Sequence, residues 1–273
     1  MAFFKPNYSK PGPGVPKDEP PKKGIARFFE IMGRDFGNLL KLNLLVVLCC
    51  LLPMTFLLLS IFSILWGSGG YLLYFLLALA SGILVGPART AEAYVISKML
   101  RDDPGFVWHD FKKAFKENFK LSVAPGLLYV AIMGSQVLGF VIFFAAEQRP
   151  GIMWAAFLIL SCGLTMVVAP YFFAQAPYLD LSARILLKNS LLLGVRNLPR
   201  SVAGGVLQLG LLAAQWSAFP ATLPVILLLG VSFPALINMM WVWPLVDKTF
   251  KIDETLKKRS LEEGAQILEI MEE

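Results

Sequence analysis

Two charged residues, Arg89 and Glu92, are the strongest candidates for chemistry within the apolar part of the sequence. Their spacing places both side chains on one face of a helix, where they can form an ion pair. An unpaired charge costs about 3 kcal/mol at the centre of a bilayer, so pairing would stabilise both residues near the membrane interface. The two residues form either a substrate-binding or gating pair or an ion pair at the membrane interface, and we favour the interfacial pair.

The other combinations of reactive residues are weak candidates for a catalytic or metal site. His109 is the one histidine, and with Asp102 and Asp110 nearby it suggests a proton relay or a metal site. One histidine with loop carboxylates makes a weak metal site, so we expect a surface histidine. The three cysteines show no metal-binding spacing, and no nucleophile and base recur at a catalytic spacing. We therefore predict no catalytic, cofactor-binding or metal site, and no enzyme.

A second candidate site lies in the basic segment 98–120. After a break at 103–105, apolar residues recur at helical spacing while lysines occupy the other faces, which is typical of a helix lying in the membrane interface. Such a helix either merely links two spans, which is the simpler interpretation, or docks a partner protein or lipid. The candidate docking residues are Trp108, Asp110, Phe111, Lys112, Lys113, Phe115, Lys116, Asn118 and Phe119.

The amino-acid composition indicates the class of fold that positions these residues. The chain is 56% hydrophobic and 16% charged, whereas about a quarter of the residues in soluble domains are charged. A helix that crosses a bilayer needs about 20 apolar residues. We therefore predict an all-α polytopic membrane protein of about six transmembrane helices joined by interfacial amphipathic elbows. The predicted spans are 42–66, 71–97, 121–145, 152–178, 201–218 and 223–246.

Three regions follow one another along the chain. Residues 1–23 are rich in proline and predict a disordered cytoplasmic tail. Residues 24–247 form the predicted six-helix transmembrane domain, which opens with a short amphipathic helix over 24–38 that we expect on the membrane surface. Residues 248–273 are polar and predict a cytoplasmic C-terminal helix.

The positive charges predict the orientation in the membrane. All but one of the 25 Lys and Arg residues fall at alternate ends of the predicted spans, and Arg149 is the exception. Positive charge is retained in the cytoplasm. We therefore expect a multi-pass protein of the bacterial cytoplasmic membrane with both termini inside. Because the cations lie between apolar runs rather than along one stripe, lipid is the expected partner and nucleic acid is not.

Two patterns occur twice in the chain. N-x3-S-V-A-x-G matches 118–126 and 197–205, and P-x3-A-[EQ]-A matches 87–93 and 170–176. They indicate either a parallel duplication of a helix–elbow–helix unit or a chance likeness between small-residue helix ends. Four amides in the spans either line a substrate site or join helices by hydrogen bonds. These amides are Asn43, Gln136, Gln208 and Asn238.

Three stretches carry a likeness to a known family: GPARTAEAY at 86–94, DFKKAFKENFK at 110–120 and KNSLLLGVRNLPR at 188–200. With Asn43 and Pro53 upstream, they resemble the YesL-like family of bacterial membrane proteins over roughly residues 25–250. That family has no established activity. Its members are often encoded beside carbohydrate uptake systems of the ATP-binding cassette type, so the resemblance implies an accessory role.

Two functions are therefore expected. The first is a non-enzymatic accessory protein that docks subunits of an ATP-binding cassette sugar transporter through its two basic elbows, 98–120 and 181–200. The second is a small-molecule transporter or channel built from the parallel repeat. The near absence of acidic residues within the spans disfavours a proton-coupled pump or an intramembrane enzyme.

Overall fold

A computed structural model describes residues 22, 24–103, 105–145, 150–217, 221–259 and 261–262. The regular secondary structure of these described residues is all helical, and they contain no strand. Nearly all of the predicted proline-rich tail 1–23, as well as Arg149 and the end of the predicted C-terminal helix, lie outside the described residues. The helices are α1 (Ile25–Leu65), α2 (Tyr71–Ser81), α3 (Val85–Leu100), α4 (Val107–Glu117), α5 (Phe119–Ala145), α6 (Ile152–Gln175), α7 (Ala183–Arg196), α8 (Leu198–Ser217), α9 (Leu223–Leu229) and α10 (Ser232–Phe250).

The predicted class, an all-helical protein with helices suited to a membrane, is confirmed. Among the described residues, four helical segments are long and apolar enough to cross a bilayer, and a fifth results if α9 and α10, which meet at a 48° bend, count as one span. Helix α8 is not among them. The predicted count of six spans therefore stays a prediction. The four segments are Ile25–Leu65, Tyr71–Leu100, Phe119–Ala145 and Ile152–Gln175.

Helix α1 corrects one expectation about the start of the chain. The surface helix predicted over 24–38 and the span predicted over 42–66 are one continuous helix of 41 residues. Its length of about 60 Å exceeds the hydrocarbon thickness of a bilayer. The predicted boundary is wrong because nothing between the two segments breaks a helix, and Pro53 lies inside α1 without ending it. Ile31 is buried against the bundle, whereas Ile25 and Phe29 are exposed.

Helices α3 and α5 approach each other backbone to backbone. A Cβ atom added at Gly86 would lie 2.0 Å from the carbonyl oxygen of Ser122, and one added at Gly126 would lie 2.3 Å from the Cα of Gly86. Only glycine permits so close a packing, as in other membrane helix pairs. The hydroxyls of Thr90 and Ser122 then meet across the two helices at 2.8 Å. This contact fixes the face of α3 that carries Arg89 and Glu92.

Two stretches of the chain share the same order of elements: α3–α4–α5 and α6–α7–α8. Asn118 ends α4 and donates a hydrogen bond to the carbonyl of Ala114 at 2.9 Å; Asn197 ends α7 and donates to the carbonyl of Leu193 at 3.0 Å. The repeated motifs therefore occupy equivalent places in equivalent elements, which favours a duplication over a chance likeness.

The starts and ends of several helices meet in one place, which we call the charged end and define as Arg27, Arg34, residues 98–103 and Asp253. Arg27 donates to the carbonyl of Leu100 at 2.8 Å and to Asp102 at 2.7 Å. Arg101 lies 3.7 Å from Asp253, which follows α10. The beginning of α1, the end of α3 and the end of α10 are thus at the same end of the bundle.

Candidate functional site

The charged pair singled out in the sequence is in the interior of the bundle. The guanidinium of Arg89 contacts the Oε2 atom of Glu92 one turn along α3. Only 1% of the Glu92 side chain is exposed. Its Oε1 atom accepts a hydrogen bond from the Ser232 hydroxyl at 2.9 Å. The carboxylate is thus held by one cation and one hydroxyl, and Ser232 is a partner that no sequence pattern indicated.

Asn43 in α1 holds the break between α9 and α10. Its amide nitrogen donates to the carbonyls of Ile226 and Leu227 at 3.3 and 2.7 Å. Its amide oxygen accepts from the backbone nitrogens of Val231 and Ser232 at 2.8 and 2.9 Å. A helix end leaves such backbone groups unpaired, and burying them unpaired is costly. Asn43 therefore stabilises the break, and the break places Ser232 beside Glu92.

A small cavity adjoins the ion pair between α3, α5, α6, α8 and α10. Its volume is about 40 Å³, enough for roughly three water molecules. A sugar does not fit in this state. The polar side chains that line it are Arg89, Glu92, Tyr129, Thr165, Gln208 and Asn238.

The four amides in the spans all join helices. In addition to the Asn43 contacts, Asn238 in α10 donates to the amide oxygen of Gln208 in α8. Gln136 in α5 donates to the hydroxyl of Thr165 in α6 at 3.1 Å. Each amide therefore links one helix to another, and two of them, Gln208 and Asn238, also face the cavity.

The predicted docking residues on and next to α4 fall into three groups by their burial. Asp110 and Phe111 are buried against the bundle. The Nζ atom of Lys98 forms an ion pair with the Oδ2 atom of Asp110 at 2.9 Å. Phe115, Asn118 and Phe119 are half-buried. The remaining four side chains project outward: Trp108, Lys112, Lys113 and Lys116.

An aromatic row attaches α4 to the rest of the protein. The ring centroids of Phe111 and Phe115 are 6.0 Å apart, and those of Phe115 and Phe119 are 5.8 Å apart. Phe111 points into the core, so this row packs against the protein rather than standing free. The phenylalanines hold α4 in place, and the lysines are left on its outer face.

The charged end contains a second cluster of ion pairs, centred on Asp102. Arg27 and Arg34 both donate to its carboxylate. Partial burial alone would raise the pKa of Asp102, but the hydrogen bonds from these two arginines hold that pKa below its usual value. Arg101 lies over the rings of Tyr178 and Trp243 at 5.3 and 5.5 Å. The cluster thereby joins α1, α3, α10 and the segment after α6.

The structure places His109 on the surface. Its side chain is 75% exposed and lies 3.8 Å from Asp110. Among the described residues, no group of three or more His, Cys, Asp or Glu side chains is arranged to hold a metal ion.

Comparison with known proteins finds one similarity. Residues 39–140 match a family model described as a protein of unknown function, DUF624. The match extends from the middle of α1 into α5 and includes Asn43, Arg89, Glu92 and the whole of α4. No curated protein matches the chain. No solved structure matches it either. The similarity thus includes the Arg89–Glu92 pair and α4, and it carries no assigned activity.

Proposed function

We propose that this chain is a non-enzymatic protein of the bacterial cytoplasmic membrane that binds a partner protein through the outer face of α4. One observation carries this proposal. Helix α4 is anchored by its buried side, through Asp110 and Phe111, while Lys112, Lys113 and Lys116 project from the other side. None of the three lysines has a salt bridge within the described part of the chain. A rigid helix with unpaired cations suits an acidic protein surface.

The contacts at Arg101 support six crossings of the membrane and a cytoplasmic location of both termini. Tyr178 follows α6 and its hydroxyl lies 3.2 Å from Arg101, and Trp243 near the end of α10 also contacts Arg101. We infer that the chain between them leaves the charged end and returns to it, with one crossing in α8 and one in α9 with α10. Because the cations concentrate at this end, we place it in the cytoplasm.

The partner follows from the family resemblance. Both the likeness to the YesL-like family and the match over residues 39–140 include α4. We propose that the partner is a subunit of an ATP-binding cassette sugar transporter, and that this chain is an accessory to carbohydrate uptake.

The test is affinity purification from native membranes, with transporter subunits quantified by mass spectrometry. The variant K112E/K113E/K116E reverses the outer face of α4. The matched control K248E/K251E/K258E makes the same change of charge on exposed residues near the C-terminal end. We expect recovery of the subunits to fall about tenfold in the α4 variant, equivalent to ~1.4 kcal/mol, and to stay unchanged in the control. Equal recovery from both variants would contradict docking through α4.

A second candidate function, a transporter or channel, is favoured by the ion pair beside the interrupted helix. Broken helices and buried charges mark substrate sites in many transporters. The cavity of about 40 Å³ would have to widen during transport. Purified protein in vesicles should then carry sugars at a rate that Glu92→Gln lowers. Absence of flux with the unaltered protein, under conditions where a known sugar carrier is active, would exclude this function.

A further inference from the structure

The three lysines on the outer face of α4 follow a fixed pattern. Lys112, Lys113 and Lys116 are all exposed, and none forms a salt bridge with another described residue. Successive residues of a helix are turned by about 100°, so the three side chains lie within about 100° of one another around the helix. Like charges at such spacings repel each other. A segment that carries carboxylates at the same spacing would relieve this repulsion.

Residues 260–273 carry the opposite charge. They read SLEEGAQILEIMEE and contain five glutamates and neither lysine nor arginine. Glu262 and Glu263 follow the basic run 257–259 by about one helical turn, so these two have cations of their own within reach. Three glutamates then remain in 265–273, which we call the acidic segment. The acidic segment lies outside the described residues, and its charge pattern is that of the sequence. The three are Glu269, Glu272 and Glu273.

The lysines and the glutamates match when the two segments run in opposite directions. Read forwards, the lysines are spaced by one residue and then by three; read backwards, the glutamates have the same spacing. Because residues 248–273 are expected to be helical, the glutamates also lie within about 100° of one another around a helix. An antiparallel pair of helices therefore matches every cation with one carboxylate. The pairs are Lys112 with Glu273, Lys113 with Glu272, and Lys116 with Glu269.

The chain after α10 begins near α4. Asp253 lies 3.7 Å from Arg101, which follows α3 directly. The chain from Arg101 to Val107, where α4 begins, spans at most about 20 Å, whereas residues 260–273 can extend to about 45 Å. The acidic segment can therefore reach the outer face of α4.

We propose that the acidic segment 265–273 binds antiparallel to the outer face of α4 and competes there with the partner protein. This inference rests on the proposed function, because it states how access to the docking surface is regulated. Single ion pairs on a surface are weak. The covalent connection compensates for this weakness, since it gives the segment an effective concentration of millimolar order. A partner has to displace the segment, so only an acidic surface of higher affinity gains access to the lysines.

The test is the rate at which lysines of the purified full chain are acetylated at low salt, measured by mass spectrometry. Glu269→Gln/Glu272→Gln/Glu273→Gln removes the charges of the acidic segment. We expect the lysines of α4 to react about threefold faster in this variant, because they are no longer covered. Lys188, exposed on α7, is the internal control and should keep its rate. The control variant Glu254→Gln, also at an exposed position, should leave the α4 rates unchanged. Equal α4 rates in the triple variant and the native chain would overturn the proposal.

Cross-linking with a carbodiimide tests the antiparallel order and the origin of the segment. The reagent joins a carboxylate directly to an amine, so it should link Glu273 to Lys112 and Glu269 to Lys116 within one chain. A mixture of chains with different isotopes distinguishes these links from links between two copies. Links from the acidic segment to Lys188 instead, or links mainly between two copies, would overturn the proposal.

Neither measurement uses a partner, so failure of this inference and failure of α4 docking are distinguishable. Once the K112E/K113E/K116E variant has established docking, the triple glutamine variant should increase recovery of the transporter subunits about threefold, because the competing segment is released. Unchanged recovery would overturn the competition between the acidic segment and the partner.

Discussion

The residues around the Arg89–Glu92 pair, which we call the polar centre, and the charged end both contain ion pairs. The two regions differ in how far their charged side chains are exposed. The side chain of Glu92 is 1% exposed, whereas that of Asp102 is 44% exposed. In the centre, polar groups bind other helices, as Asn43 and Ser232 do. On α4, next to the charged end, lysines are left without a described partner. The buried polar residues therefore hold the bundle together, whereas the exposed lysines of α4 make no salt bridge within the described part of the chain.

The largest effect should come from Glu92→Leu, which breaks the central ion pair. It leaves the Arg89 charge buried without a partner, and such a loss costs about 3–5 kcal/mol. The free energy of unfolding, measured by titration with SDS in mixed micelles, should fall by that amount. Arg89→Leu/Glu92→Leu should recover part of the loss. Glu117→Leu, at an exposed position of α4, is the control. If Glu92→Leu lowered the free energy of unfolding no more than Glu117→Leu, the ion pair in the polar centre would not stabilise the protein, which would contradict this prediction.

The next effect should come from Asn43→Leu at the helix break. Leucine cannot bond the backbone groups of 226–232, and leaving them unpaired should cost about 2–4 kcal/mol. Asn38→Leu removes a local bond to Asp35 on the same helix and should change stability by less than about 0.5 kcal/mol. Thermal unfolding followed by circular dichroism distinguishes the two. Similar melting temperatures would show that Asn43 does not hold the break.

A smaller loss is expected from Gly86→Ala at the contact of α3 with α5. The added methyl group would collide with the backbone of Ser122, and overpacking of this kind costs about 1–3 kcal/mol. Gly210→Ala in α8 meets nothing within 4 Å and should be neutral or stabilising, since alanine is the better helix former. The same unfolding assay applies. An equal response of both variants would mean that the close contact is absent.

The smallest effect should appear at the charged end, as a dependence on acid. Because the pKa of Asp102 is lowered in the folded protein, its contribution to stability is present above the usual aspartate pKa of about 4 and is lost as the pH falls through the lowered value. The difference in melting temperature between the native protein and Asp102→Asn should therefore be greatest near neutral pH and shrink below about pH 4. A difference that grows with acid would contradict this assignment.

Local patterns predicted much of the fold. Apolar stretches predicted most of the long helices, and the helical spacing of the apolar residues in the segment 98–120 predicted α4. The outward lysines of α4 also followed from helical spacing. These features depend on residues a few positions apart, so a single sequence contains them.

Contacts between distant residues could not be predicted in this way. Ser232 and Glu92 are in different helices far apart in the chain, as are Asn43 and the α9–α10 break. No spacing rule relates such residues, because their contact depends on how the helices pack. For the same reason, the sequence predicts Arg27 on a surface helix. Its partner Asp102 lies in the loop after α3, and no sequence pattern relates that loop to α1.

The most direct test of the account is the side of the membrane on which α4 lies, because partner docking requires it in the cytoplasm. Lys112→Cys and Ser68→Cys place single thiols on α4 and on the exposed turn after α1, in a background where Cys49, Cys50 and Cys162 are replaced by alanine. An impermeant maleimide should label the thiol at 68 in intact cells and the thiol at 112 only after permeabilisation. Labelling of the thiol at 112 in intact cells would contradict the account.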